Sequence, residues 1–212
     1  MFDTERLQVL AARVRPTAAS RTRLLPTLPS IAALLPDGGL RRGTVVRCTG
    51  RAARSMALAV AAGPSAAGSW CALVGMDDVG ALAAAGYGVD LERLVVVHVA
   101  RAQWASAAAT LADGLDLVVV VPPPHPRPAE VRMRVARARD RGAVILMVEE
   151  RPSCPVDLEL AVTEAGWHGL ARGAGRLQSR RVTVVARGRG QAARPVRREL
   201  WLPAATGKAA AA

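Results

Sequence analysis

The chain has 212 residues, a formal net charge of +12, 51% hydrophobic residues and 22% charged residues. That length fits one full core rather than two complete domains, and the composition excludes a largely disordered chain. Lys208 is the sole lysine among 29 basic residues, so arginine carries the excess charge. It suits a phosphate backbone or an acidic protein, and equally a solvated basic face.

Cys48, Cys71 and Cys154 are too few and too scattered for a disulfide frame or a zinc site. They read as buried small hydrophobes in a reducing compartment, with no metal and no cofactor expected. No apolar run reaches the ~20 residues of a membrane span, and the acidic start MFDTE is unlike a signal peptide, so a cytoplasmic chain without membrane contact is expected.

In chain order, DTERLQVLAARVR predicts an N-terminal helix within residues 1–15, with Leu7, Leu10 and Val14 on one face and Asp3 or Thr4 as cap. Residues 16–30 carry Pro16, Pro26 and Pro29 and read as a linker or extended arm. A short helix through Ile31 to Leu35 follows and ends at the turn Pro36-Asp37-Gly38-Gly39.

TVVRCT (44–49), SWCALVG (69–75), RLVVVHV (93–99), DLVVVV (116–121) and AVILMV (143–148) are short β-branched runs, as expected of strands buried on both faces. Helical spacing fills the intervals at about 52–66, 78–87, 101–113 and 128–141. The alternation predicts an α/β fold, a mostly parallel twisted sheet with helices on both faces.

After residue 150 the rhythm changes. LELAVTEAGW (158–167), RRVTVVARG (180–188) and PVRRELWLP (195–203) read as strands, the last two joined into an antiparallel hairpin at one sheet edge. GLARGAGRLQSRR reads as a surface loop, and residues 204–212 as a disordered tail. The core is placed at 31–203.

The stretch RCTGRAARSMALAV sits where a strand, a glycine turn and a helix would form a phosphate loop. A working loop is G-x-x-x-x-G-K-[ST]: its amides cradle phosphate, its lysine neutralises charge and its hydroxyl holds Mg²⁺. Counting from Gly50 places Ser55 at the second glycine, Met56 at the lysine and Ala57 at the hydroxyl. The acidic residue that should close LDLVVVV is replaced by Val121 before Pro122-Pro123-Pro124, and a valine cannot coordinate a hard cation. Asp77 remains as a general base with nothing to activate. The site is therefore read as degenerate, with no nucleotide bound and no catalysis.

The ordered set IAALLPDGGLRRGTVVRCTG, WCALVGMDD, YGVDLERLVVV, LDLVVVV, LELAVTE, RRVTVVARGRG and RRELWLP resembles the recombinase core of the RecA family over about residues 24–203. In that family WCALVGMDD ends in a catalytic glutamate, and two mobile DNA loops follow the LDLVVVV and AVILMV strands. Here those places hold only PPPHPRPAE and EERPSCPVD, and Glu149 or Glu150 stands near a nucleotide-sensing residue. Such a core, with PSAAGSWCALVG and DGLDLVVVVPP, resembles the ImuA-type subunit of the actinobacterial mutasome. That resemblance implies a role in damage-induced translesion synthesis, beside ImuB, an inactive relative of Y-family polymerases, and an error-prone C-family polymerase.

The expected partner surfaces are the face of Leu7, Leu10 and Val14, and the C-terminal Arg197, Arg198 and Trp201; self-association also fits a free N-terminal element. The alternative reading is a nucleic-acid module with weak, salt-sensitive binding. It would use Arg51 and Arg54, the helix arginines Arg132, Arg134, Arg137, Arg139 and Arg141, or the turn of Arg187 and Arg189. A residual nucleotide hydrolase is the third.

Overall fold

The computed structural model describes residues 4–13, 23–100, 102–123, 140–150, 155–171 and 174–212. Among these, five short parallel strands form the centre of the molecule: β3 (Val45–Thr49), β4 (Cys71–Val74), β5 (Leu94–Val97), β6 (Leu117–Val120) and β7 (Val144–Val148). All residues of β3, β4, β6 and β7 are buried, which is why their sequences run without polar alternation.

Two short strands, β1 (Leu24–Leu25) and β2 (Leu40–Arg41), form a separate antiparallel pair. The three C-terminal strands β8 (Leu158–Ala171), β9 (Ala174–Gly188) and β10 (Val196–Trp201), with β11 (Ala210–Ala211), complete a nine-stranded sheet. Its order is β11-β10-β9-β8-β3-β7-β6-β4-β5. β8 runs parallel to β3, with Cys48 beside Leu160. From β8 outward every pairing is antiparallel.

The helices are α1 (Thr4–Arg13), α2 (Pro29–Ala32), α3 (Ala53–Ala66), α4 (Ala81–Gly86) and α5 (Trp104–Ala112). α3 is almost wholly apolar and buries Met56 to Ala62 against Val46, Cys48, Leu73, Leu146 and Leu160 on one sheet face. Gly63 lets the segment between β1 and α2 pass against α3: a Cβ there would sit 2.4 Å from the Thr27 backbone. On the other face α5 packs Trp104, Ala107, Ala108 and Leu111 over Val45, Ala72, Val118 and Ile145. The sheet is thus covered on both faces, as its unbroken apolar strands require.

Four expectations need correction. The arm at 16–30 is structured from residue 23, because Leu25 is fully buried and pairs with Leu40; the helix after it spans Pro29–Ala32 rather than 31–35. The described residues of the stretch expected as a surface loop, GLARGAGRLQSRR, namely 169–171 and 174–181, instead lie in the two longest strands, β8 and β9, where cross-strand bonds replace the apolar burial they lack. Finally, residues 204–212 are ordered: β11 pairs with β10, and Ser30 Oγ donates to the Ala209 carbonyl at 3.1 Å. Backbone bonding compensates for the scarcity of large side chains there. The expected helix at 128–141 lies outside the described residues except at its end.

Candidate functional site

The C-terminal ends of β3, β4, β6 and β7 converge, bringing together the loop after β3, Asp77 and Asp78, Val121 and Glu149. This is the end of a parallel sheet at which α/β proteins place ligands. Gly50 makes the turn with φ +92°, and a Cβ there would lie 2.1 Å from the Val162 carbonyl oxygen on β8, so no other residue fits.

A phosphate loop stays open between its glycines so that amides point inward. Here it is closed: the Ala53 amide donates to the Gly50 carbonyl at 3.0 Å, and α3 begins at Ala53. Met56 and Ala57 are both 0% exposed and point into the core beneath α3. The positions that should present a cation and a hydroxyl to phosphate are therefore part of the packing.

Of the remaining polar side chains of the loop, those of Arg54 and Ser55 are engaged elsewhere. Arg54 forms a close ion pair with Asp78. Ser55 Oγ accepts from Arg180 Nη2 at 2.6 Å. Arg180 is 9% exposed; its Nε donates to the Leu202 carbonyl at 2.9 Å, and its guanidinium lies 4.9 Å from the Trp167 ring centroid. Arg51 alone in the loop is exposed without an acidic partner among the described residues. Asp77 accepts from His98 Nδ1 at 2.7 Å on the open surface. Val121 closes β6 by backbone bonding to Val74.

Beside this end of the sheet lies a buried ionic cluster that sequence reading did not anticipate. Arg47 on β3 stands between Glu149 (Nη1 to Oε2, 3.8 Å) and Glu159 (Nε to Oε1, 3.4 Å), and Arg187 Nε donates to Glu159 Oε2 at 2.7 Å. Burial pushes the Glu159 carboxyl up. The hydrogen bond from Arg187 and the charges of Arg47 and Arg187 outweigh it and hold the group below its usual range. The available signal was the charge inside each apolar run, the arginine of VVRCT and the first glutamate of LELAV. Glu149, the expected sensor position, belongs to this cluster.

The expected partner residues are dispersed. Leu7 is half-buried against the α5 face, and Ala11 of α1 approaches Gly114 so closely that a Cβ there would meet its carbonyl at 2.2 Å. α1 therefore folds back on its own core. The Leu10 side chain and Val14 lie outside the described residues. Arg197 pairs with Glu164 at 3.3 Å, Arg198 donates to the Arg197 carbonyl, and half-buried Trp201 meets the His168 ring edge-on at 5.1 Å.

The expected nucleic-acid residues are split as well. Arg187 is spent on Glu159 and Arg141 on Asp113 (3.3 Å), whereas Arg189 is exposed. Arg132, Arg134, Arg137 and Arg139 lie outside the described residues. Among the described residues no group of His, Cys, Asp and Glu is placed to hold a metal, and no helix is long and apolar enough to cross a membrane.

The family model of the MT3502 N-terminal domain matches residues 33–153, from the end of α2 through β7 and including the closed loop. The chain belongs to that family. The Mycobacterium tuberculosis protein Rv3395c is 36% identical over 158 residues, covering 73% of this chain and 70% of that protein. The crystal structure of the RadB recombinase superposes with a TM-score of 0.56 at 14% identity, covering 81% of this chain and 92% of that one. The fold is therefore RecA-like: an α/β sheet, mostly parallel, with antiparallel strands at one edge. The match to the family domain ends before β8, so the long β8–β9 hairpin lies outside it.

Proposed function

We propose that this chain is a non-catalytic accessory subunit of error-prone translesion DNA synthesis, of the ImuA type, in which a RecA-like fold is kept for its surface. Its partner is an ImuB-like inactive homologue of Y-family polymerases and, directly or through it, an error-prone C-family polymerase. The reading places the protein in the cytoplasm, on the nucleoid when engaged in repair. The observation that carries the loss of catalysis is the start of α3 at Ala53 with Met56 and Ala57 wholly buried. With the loop closed, a nucleotide meets neither an amide cradle nor a cation nor a metal-holding hydroxyl.

A docking role asks for stable surface features rather than a reactive centre. Arg198 is exposed on β10, at the end of the sheet farthest from β5. The test is co-expression with the ImuB-like homologue, comparing the full chain with Arg198→Glu and with a chain lacking residues 1–22. Co-purification of the full chain and reduced retention of a variant support the reading. Retention unchanged in both variants refutes these docking surfaces, and failure of the full chain to co-purify refutes the adaptor.

A further inference from the structure

The two strands that leave the sheet as a ribbon are the least self-explanatory part of the molecule. β3 pairs with β8 only as far as Ala161, and β10 pairs with β9 only from Arg181 onward. Beyond these, Gly166 and Trp167 pair with Arg181 and Arg180, and residues 168–171 and 174–179 pair with one another and with no other strand among the described residues, so both edges of the outer ribbon are open. A two-stranded ribbon in water is marginal on its own. This one also has poor strand propensity, with glycine at 166, 169, 173 and 175. It nevertheless exposes Trp167 (48%), Leu170 (65%) and Leu177 (50%).

Its charge is one-sided. Residues 165–181 contain four arginines and no aspartate or glutamate. Arg180 anchors the root of the ribbon by its bonds to Ser55 and Leu202. Arg181 pairs with Glu199 on β10. Arg176, farther out, has no acidic partner among the described residues and lines an open cavity of about 380 Å³ with Leu177, Gln178 and Ala205. An apolar, glycine-rich ribbon with unneutralised arginine repels a second copy of this basic chain. It suits a polyanion that has apolar surface between its charges.

We propose that the β8–β9 ribbon is a DNA-binding arm that contacts the phosphodiester backbone without reading sequence. Arg176 neutralises phosphate, while Leu170, Leu177 and the free face of Trp167 lie against sugars or bases. A two-stranded ribbon matches the width of the major groove. Glycines let its backbone approach the strand closely. This arm is separate from the expected DNA residues in the old phosphate loop, and it stands or falls independently of the adaptor reading.

The test is fluorescence anisotropy with labelled 30-nucleotide single-stranded and 30-base-pair DNA of mixed sequence, from about 50 to about 200 mM salt. The full-length protein is expected to bind in the micromolar range, with affinity falling steeply as salt rises. Arg176→Glu should lower affinity about tenfold and flatten the salt dependence, because a phosphate contact is lost. Arg194→Glu makes the same change in net charge at an exposed position beyond the opposite end of β9 and should cost less than about twofold. Leu170→Ala with Leu177→Ala should weaken binding several-fold while leaving the salt slope unchanged, which keeps the proposal testable if the charge reversal disturbs folding. Equal losses for Arg176→Glu and Arg194→Glu would mean diffuse charge attraction and would overturn the arm. So would the absence of binding to either oligonucleotide at about 50 mM salt.

Discussion

Arg180 Nη2 donates to Ser55 Oγ at 2.6 Å, tying the root of the β8–β9 ribbon to the first turn of α3. The two residues are 125 positions apart, and the contact lies where an open phosphate loop would leave room for ligand. Truncating Arg180 strands the Leu202 carbonyl and uncovers Trp167. Arg180→Ala should destabilise the fold by about 2–3 kcal/mol in urea unfolding, and Ser55→Ala by about 1 kcal/mol. In a double-mutant cycle the pair should couple by about 1 kcal/mol, whereas strictly additive losses would mean that the bond contributes nothing.

Restoring the missing lysine should fail as a repair. Met56 is fully enclosed by the cluster beneath α3, so Met56→Lys puts an ammonium among aliphatic side chains with no counter-charge. The expected cost is more than about 3 kcal/mol. A variant of unchanged stability would mean that the side chain reaches solvent through the loop.

Glu159 ties stability to pH. Its folded-state value lies below the ordinary one, so its contribution is fully present above the unfolded value near about 4.3 and is lost as pH falls through the lower folded value. Glu159→Gln leaves Arg47 with less than its full counter-charge and should cost about 2–3 kcal/mol at neutral pH. The gap between wild type and variant should narrow below about pH 4, in chemical denaturation run across pH. A pH-independent gap would contradict the ionic role.

Burial pushes the thiols of Cys48 and Cys71 far above the usual range, assisted at Cys71 by the charge of Asp116. Neither should react with iodoacetamide in the native protein, and both should react after denaturation. Native labelling at either position, mapped by mass spectrometry, would show that the sheet opens.

Removing residues 209–212 should be felt although the segment holds no large side chain. It deletes the pairing of β11 with β10, the bond from Ser30 to Ala209, and the bond from the Ala212 amide to Glu199. A loss of about 1–2 kcal/mol is expected in thermal or urea unfolding, against none for a frayed end.

The parallel half of the sheet was legible because burial on both faces leaves only apolar, β-branched residues, and VVRCT, CALV, LVVV and VILMV announce themselves. The degenerate loop was legible as well, since Met56 and Ala57 remove functional groups whatever the backbone does. Its helix start was legible too, since helical spacing read over about 52–66 matches α3 at Ala53–Ala66, but the bond from Arg180 that occupies Ser55 was not. Strand residues 168–171 and 174–179 were missed because glycine and arginine have loop composition, and strand pairing there comes from neighbours in space rather than from propensity. The charge cluster required knowing that Arg47 and Glu159, 112 positions apart, are adjacent in parallel register. β11 is made of alanines that read as filler.

Isothermal titration of the intact protein with Mg-ATP bears most directly on the central claim, that the closed loop no longer holds nucleotide. No saturable heat at concentrations up to the millimolar range is the predicted result. Micromolar affinity would contradict it, because it would require α3 to unwind at Ala53 and Arg180 to release Ser55.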